Sequence, residues 1–343
     1  MPAENIQTLH SHSLNSDGQL SYLKTLEVCE QNNISVVAFT DHDALINKNG
    51  LKDLRNYKGK VKWISGIEVS SALPKELGGG IIADFHIVGL FVDPTNKKLL
   101  DHCALASKAR ITRMQKMVTN LQSLGFDITE DDCLKASSGE SVGRPHVVTA
   151  LLSKQKNKDV LMKLKEKMED EAKDNTEVRK KYDAMIERGE GQYPYIIFLS
   201  DDAYIPNIYV HHQYFVDMDA AVKLIRNAGG LAILAHYYSC VGKINEELLD
   251  KILRDNRLDG AEVVYGLFCL NTGTEIEKTV IKSSEIINRL VKKHSKLQSG
   301  GADAHKLKDF VDFANSGEYA EKTEGMAEEI IKQSNTDTTW SNF

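Results

Sequence analysis

His10 and His12 flank Ser11 in the run HSHS. On an extended strand, residues at i and i+2 point to the same face, so both imidazoles can reach one ion. Asp303 and His305, in DAH, repeat that spacing near the other end of the chain. Between these pairs lie His42 in FTDHD, Glu68 in SGIEVS, His86 in DFHIVG and His236 at the close of LAILAH, while Asp17 sits in a Ser-Asp-Gly turn just after His12. One histidine on an apolar strand is more often a hydrogen-bonded core residue than a ligand. Six histidines and three carboxylates gathered at successive strand ends are another matter. Desolvating so many polar groups together is costly unless cations partner them. The set exceeds what one four-coordinate ion needs, so two or three divalent ions are expected. Imidazole and carboxylate without thiolate suit Mn²⁺, Fe²⁺ or Zn²⁺. Mg²⁺ prefers oxygen ligands alone. Asp41 and Asp43 bracket His42 and are candidates to orient metal-bound imidazoles from behind. Asp43 reads equally as the N-cap of a following helix.

The elements that must carry these residues alternate. Strand-like runs fall at 5–10, 35–40, 61–72, 81–93, 231–236, 260–265 and 296–305, with helical patterns at 21–33 and 219–230. Repeated βα units of this kind favour a parallel sheet or barrel. The carboxyl ends of those strands are where such barrels build their sites, and His10, His12, His42, His236, Asp303 and His305 fall there. The rhythm breaks at 101–216. Leu105, Met114, Val118, Leu121 and Leu124 suggest one apolar helical stripe, a second helix is expected near Pro145, and 154–191 reads as a charged, solvated helical hairpin. The expected organisation is a discontinuous barrel, 1–100 and 217–315, a helical insertion at 101–216, and a weakly patterned, partly disordered tail at 316–343.

The 343 residues suffice for one large α/β domain with an insertion, and a net charge of −6 argues against a broad nucleic-acid-binding surface. The five cysteines, Cys29, Cys103, Cys133, Cys240 and Cys269, form no metal knuckle and read as free thiols. With no signal-peptide pattern and no apolar run of about 20 residues, a cytoplasmic protein without a membrane span is expected. The sequence carries no signature of oligomeric state.

In order and spacing, HSHSLNSDG, FTDHD, GIEVS, DFHIVG, LAILAH and GGADAH resemble the successive motifs of the PHP (polymerase and histidinol phosphatase) superfamily. With GRPH inside a helical insertion, the series is similar to the branch containing the TrpH-type metal-dependent phosphoesterases. The resemblance runs from residue 10 to residue 305. It implies an α/β fold, a distorted (βα)7 barrel with a helical insertion domain that caps the substrate, and up to three divalent ions. The ligands it implies are His10, His12, Asp17, His42, Glu68, His86, His236, Asp303 and His305. Glu68 would bridge two ions, and Asp17 would share one with His42 and His305. Tyr237 stands where relatives usually have proline, and Ala302 where they often have serine. Neither departure removes a ligand.

The expected activity is hydrolysis of phosphate monoesters or diesters of nucleotides, such as nucleoside 3′,5′-bisphosphates or short oligonucleotides, by hydroxide generated at the ions. Ser11 and Ser16 lack a separate base and are not expected as nucleophiles. Arg144, in SVGRPHVV, is the first choice for pairing with phosphate, because guanidinium does so bidentately and its helix begins there. Protonation of the leaving group is expected from a metal-bound water or from a histidine not bound to metal, such as His146. Arg113, Lys243 and Arg110 are weaker candidates, since arginines on a long amphipathic helix are mostly solvated. His102, His211, His212 and His294 are expected on the surface or on helices. Two alternatives stand beside this reading. One is a phosphatase for a non-nucleotide metabolite resembling histidinol phosphate. The other is a non-catalytic PHP module, disfavoured because every ligand position is filled.

Overall fold

The computed structural model describes residues 5–80, 83, 85–137, 141–267, 270 and 275–343. The chain divides into two compact units, Met1–Ala106 with Phe215–Phe343, and Ser107–Tyr214. In chain order the first segments are β1 (Ile6–Thr8), α1 (Tyr22–Gln31), β2 (Ile34–Phe39), α2 (Lys48–Asn56), β3 (Lys62–Ala72), β4 (Phe85–Leu90) and α3 (Lys97–Ser123). The helical unit adds α4 (Glu130–Ala136), α5 (Arg144–Leu152), α6 (Gln155–Glu171), α7 (Thr176–Arg188) and α8 (Tyr193–Ile197). The chain then continues through β5 (Val216–Asp217), α9 (Met218–Asn227), β6 (Leu231–Leu234), α10 (Glu246–Arg254), β7 (Gly260–Val264), α11 (Glu275–Lys293), β8 (Leu297–Gly300), α12 (Leu307–Ala314), α13 (Glu318–Glu321) and α14 (Met326–Ser334).

The sheet of the larger unit runs β1-β2-β3-β4-β6-β7-β8, with the short β5 paired to β3. Its edges meet. The Leu9 N–H donates to the Gly300 carbonyl at 3.0 Å, and Ser11 bridges Ala304 in parallel beyond it. The result is a closed α/β barrel of seven principal strands. Strands buried on both faces read as continuous apolar runs, and Val36, Val37, Ala38 and Phe39 are all buried in β2. Asp217 and Asn245 accept from backbone N–H groups at the starts of α9 and α10, which satisfies donors that a helix leaves open.

The barrel is distorted at one strand. β4 is antiparallel to both β3 and β6, whereas β1/β2, β2/β3, β6/β7 and β7/β8 are parallel. A parallel return needs a crossover of about a dozen residues or more, usually helical. The described part of the β3–β4 connection holds a short 3-10 turn, Lys75–Leu77, and β4 runs back along β3. The strand expected at 81–93 starts at Phe85, and residues 81, 82 and 84 lie outside the described set. Reversal has a functional consequence. His86, near the amino end of β4, comes to the barrel end at which the parallel strands finish, opposite Ser70.

The end of the chain is more ordered than its weak patterning suggests. Ala327 and Ile330 of α14 are buried, the Gln7 N–H donates to Thr323 Oγ1, and Ser341 bridges Ile64 of β3. Pairing with a strand far away in sequence leaves no local periodicity to read. No helix among the described residues is long and apolar enough to cross a membrane.

The helical unit has a core of its own, including Met114, Val118, Leu121, Leu151, Leu161, Met168, Met185 and Phe198. Leu105 is exposed instead of joining that stripe. It lies nine residues before Met114, which at 3.6 residues per turn is about half a turn out of phase. Pro145 falls in the first turn of α5. The charged hairpin forms as α6 and α7, each contributing a narrow apolar stripe, Leu161 with Met168 and Val178 with Tyr182 and Met185.

Candidate metal centre

The strand ends deliver the predicted side chains to one place. His10 and His12 follow β1, and the main chain between them is held on both sides, Ser11 N–H by Thr40 Oγ1 and His12 N–H by the Ala304 carbonyl. His42 follows β2 and bridges Glu68 of β3. His236 follows β6, and Asp303 and His305 follow β8. Asp43, His236 and Asp303 have φ of 45°, 23° and 49°, left-handed backbone that non-glycine residues adopt at a cost of about 1–3 kcal/mol. Asp17 lies on a turn braced by Asp41, whose carboxylate accepts from the Ser13 N–H, the Ser13 hydroxyl and the Ser16 hydroxyl at 2.6–2.7 Å. Gly18 closes this turn because a Cβ there would sit 2.3 Å from the His12 carbonyl oxygen.

Glu68 is at the centre and fully buried. Its carboxylate oxygens lie 3.3 Å from His10 Nε2, 3.3 Å from His12 Nε2, 3.0 Å from His42 Nδ1, 2.8 Å from His86 Nδ1 and 3.0 Å from His236 Nε2. Asp303 Oδ1 stands 3.1 Å from His12 Nε2 and 3.4 Å from His10 Nε2. Asp17 makes longer contacts, 3.5 Å from His305 Nε2 and 3.9 Å from His42 Nε2. Three subsets have donor atoms within 4.8 Å of one another: His12, Asp17, His42 and His305; His10, His12 and Asp303; and His42, Glu68 and His86.

The electrostatics show what the cluster wants. Burial alone would depress the His10 imidazole, but the carboxylates of Glu262, Glu68 and Asp303 hold it well above its usual range. His12 and His236 are also raised against the pull of burial, His236 chiefly by its hydrogen bond to Glu68. Burial would raise Glu68, yet His42, His86 and His10 hold it well below the ordinary carboxylate range, and His10 and His12 help do the same for Asp303. Without ions, protons supply the positive charge. They fit imperfectly, since Glu68 Oε2, His12 Nδ1 and His86 Nδ1 are buried without a well-aligned hydrogen bond despite their close neighbours. Neutral imidazoles and carboxylates around shared cations would satisfy such atoms. The donor set therefore fits divalent ions.

Several neighbours differ from expectation. The hydroxyl and N–H groups of Ser70 donate to Asp43, and Asp41 binds Ser13 and Ser16, so both carboxylates brace the loops that carry the site. His102 lies on α3 and is buried, with Nε2 3.3 Å from Asp43 Oδ1. His294 and His211 pair with Asp250 and Asp201. Glu262 was missed by the reading of the sequence. It is a buried glutamate in the otherwise apolar strand GAEVV, and that mismatch was the available signal.

The helical unit holds Arg110, Arg113, Arg144 and His146. Arg110 and Arg113 are buried, contrary to the expectation for an amphipathic helix. Arg113 donates to the Val210 carbonyl, lies 3.2 Å from His212 Nε2 and stacks on Tyr209, while its buried Nη2 has no partner. Burial, with Arg144 and Arg110 nearby, pushes Arg113 down to about 10. Arg144 donates to the Leu199 carbonyl and stands over the rings of Tyr195 and Tyr209. His146 accepts the Gly143 N–H at Nδ1, which leaves its ring proton on Nε2. Lys243 is exposed in the larger unit. Cys29, Cys103, Cys133 and Cys240 are buried thiols, and Cys269 lies outside the described residues.

A closed barrel with one reversed strand and a histidine–carboxylate cluster at the ends of its strands defines the class as a PHP-type fold. No family model matches the chain. It is 25% identical over 232 residues to phosphoribosyl 1,2-cyclic phosphate 1,2-diphosphodiesterase of Eggerthella lenta, covering 67% of this chain and 73% of that one. It is 23% identical over 305 residues to 3′,5′-nucleoside bisphosphate phosphatase of Chromobacterium violaceum, covering 87% and 86%. Among solved structures, a protein described as a metal-dependent phosphoesterase from Bifidobacterium adolescentis superposes with a TM-score of 0.59 at 19% identity, covering 89% and 88%. In fold and in its ordered motif series, the chain resembles the PHP superfamily.

Proposed function

We propose that the protein is a metal-dependent phosphoesterase acting on phosphate monoesters or diesters of nucleotides, such as nucleoside 3′,5′-bisphosphates or short oligonucleotides. The observation that carries this reading is Glu68, one buried carboxylate ringed by five imidazoles, with Asp17 and Asp303 at the flanks. His10, His12, Asp17, His42, Glu68, His86, His236, Asp303 and His305 would hold two or three ions of Mn²⁺, Fe²⁺ or Zn²⁺, with Glu68 shared between two. Bound there, the ions would supply positive charge for the phosphoryl and leaving oxygens and lower the pKa of water toward neutrality.

The remaining roles belong to side chains. We assign substrate recognition to the helical insertion, 101–216. Arg110 and Arg144 are both close enough to depress Arg113, and Arg110 and Arg113 are buried. A substrate phosphate would relieve that repulsion and fill the unpartnered Nη2 of Arg113. His146, its proton fixed on Nε2, would donate to a substrate oxygen. Two relatives that act on nucleotide or ribosyl phosphates support this substrate class.

The test is phosphate release by Mn²⁺-loaded protein from a nucleoside 3′,5′-bisphosphate, a 5′-phosphorylated oligoribonucleotide, a ribosyl cyclic phosphate and an amino-alcohol phosphate. Highest kcat/KM on a nucleotide is expected. Preference for the amino-alcohol phosphate would favour the metabolite reading, and no hydrolysis of any ester would refute the activity.

A further inference from the structure

We propose that Glu262 is a positioning residue whose single carboxylate sets both the ring tautomer of His10 and the main chain of His236. The proposal rests on the reading of this cluster as a divalent-metal centre. Glu262 lies in β7, buried on both faces, where an unsatisfied carboxylate would be strongly destabilising. It is satisfied by two donors from separate segments. Oε1 is 2.7 Å from His10 Nδ1, and Oε2 accepts the backbone N–H of His236 at 2.7 Å.

Each contact has a geometric consequence. A proton held on His10 Nδ1 leaves the lone pair on Nε2. That nitrogen is the one facing His12 Nε2, Glu68 Oε2 and Asp303 Oδ1, at 3.2, 3.3 and 3.4 Å. At His236 the backbone is left-handed, with φ 23° and ψ 65°. The bond to Glu262 pins the peptide N–H of that unfavourable turn, and His236 Nε2 then lies 3.0 Å from Glu68 Oε1. One carboxylate thus ties together candidate ligands from the ends of β1 and β6. Both of its oxygens must accept. Glutamine offers one accepting oxygen and an amide that would point N–H groups at the other donor.

The test titrates metal-free protein with Mn²⁺ alone, by calorimetry, in the wild type, Glu262→Gln and Glu262→Asp. Glu262→Gln should weaken at least one Mn²⁺ site on the order of 10–100-fold, the usual effect of losing an outer partner of a ligating histidine. Glu262→Asp, which keeps both acceptors on a shorter stem, should fall between it and the wild type. Wild-type affinity in folded Glu262→Gln would overturn the proposal. The second measurement needs no variant at position 262. In Zn²⁺-loaded wild type, ¹⁵N spectra of the imidazoles, with His10 identified by its loss in His10→Asn, should show the His10 proton on Nδ1. A proton on Nε2 would overturn the proposal even if Glu262→Gln failed to fold. Failure of the wild type to bind Mn²⁺ would instead refute the metal-centre reading beneath it.

Discussion

Replacing Arg144 with alanine separates substrate recognition from the metal cluster. In the free protein the guanidinium donates to the Leu199 carbonyl at 3.1 Å and stands 5.7 Å and 5.5 Å from the ring centres of Tyr195 and Tyr209. Losing these contacts should cost the helical unit about 1–2 kcal/mol, from a hydrogen bond near 1 kcal/mol and modest ring contacts. Part of that loss is offset, because Arg144 is one of the charges that depress Arg113. The effect on substrate is larger. A charged hydrogen bond to phosphate is worth about 1.5–3 kcal/mol, and each 1.4 kcal/mol is about tenfold, so kcat/KM should fall by about tenfold to a hundredfold for each such bond lost. The assay compares a nucleoside 3′,5′-bisphosphate with the corresponding monophosphate, using Mn²⁺-loaded protein and parallel thermal melts. The bisphosphate should suffer the large loss and the monophosphate much less, with Mn²⁺ content unchanged. Equal losses would place Arg144 at the reacting phosphoryl group. Wild-type kinetics on both would refute the assignment of recognition to this arginine.

Glu68→Gln should lose bound Mn²⁺ and turnover together, because a neutral amide is a poor shared ligand; full metal content measured by plasma emission would remove Glu68 from the centre. In metal-free protein His10, His12 and His236 are raised, so their stabilisation is complete below about pH 6.5 and is lost as pH rises through their folded values. Glu68 and Asp303 are lowered, so theirs is present above about pH 4 and is lost as pH falls through their folded values. The metal-free Tm should therefore be highest between those limits, and Mn²⁺, which displaces the protons, should raise Tm more at about pH 8 than at about pH 6. An equal Mn²⁺-induced shift at both pH values would count against proton–metal exchange. Gly18→Ala should destabilise the protein by about 1–3 kcal/mol, since its Cβ would meet the His12 carbonyl at 2.3 Å, and should weaken Mn²⁺ binding through the Asp17 turn; an unchanged urea midpoint would show that the turn yields freely.

The histidines and carboxylates were legible because strand periodicity and strand ends are local properties. HSH and DAH need only the i, i+2 rule, and LAILAH only an apolar run that stops at a histidine. The reversal of β4 was not legible, since it depends on what the β3–β4 connection can span. Arg110 and Arg113 looked solvated because helical periodicity says which residues share a face but not whether that face is covered; both are buried. The anchoring of the last residues is invisible locally, because the pairing of Ser341 with Ile64 is non-local. Glu262 belongs to both groups. Its oddity in GAEVV is visible in the sequence, but its partners, His10 and the His236 N–H, are brought together only by barrel closure.

The most direct test of the account is a stoichiometric reconstitution. Metal-free protein is loaded stepwise with Mn²⁺ while bound metal and phosphate release from a nucleoside 3′,5′-bisphosphate are measured on the same samples. The account predicts no turnover without metal and a rise to a plateau at two or three ions per chain. Turnover in the metal-free protein, or a plateau of bound Mn²⁺ at one ion with full activity, would contradict it.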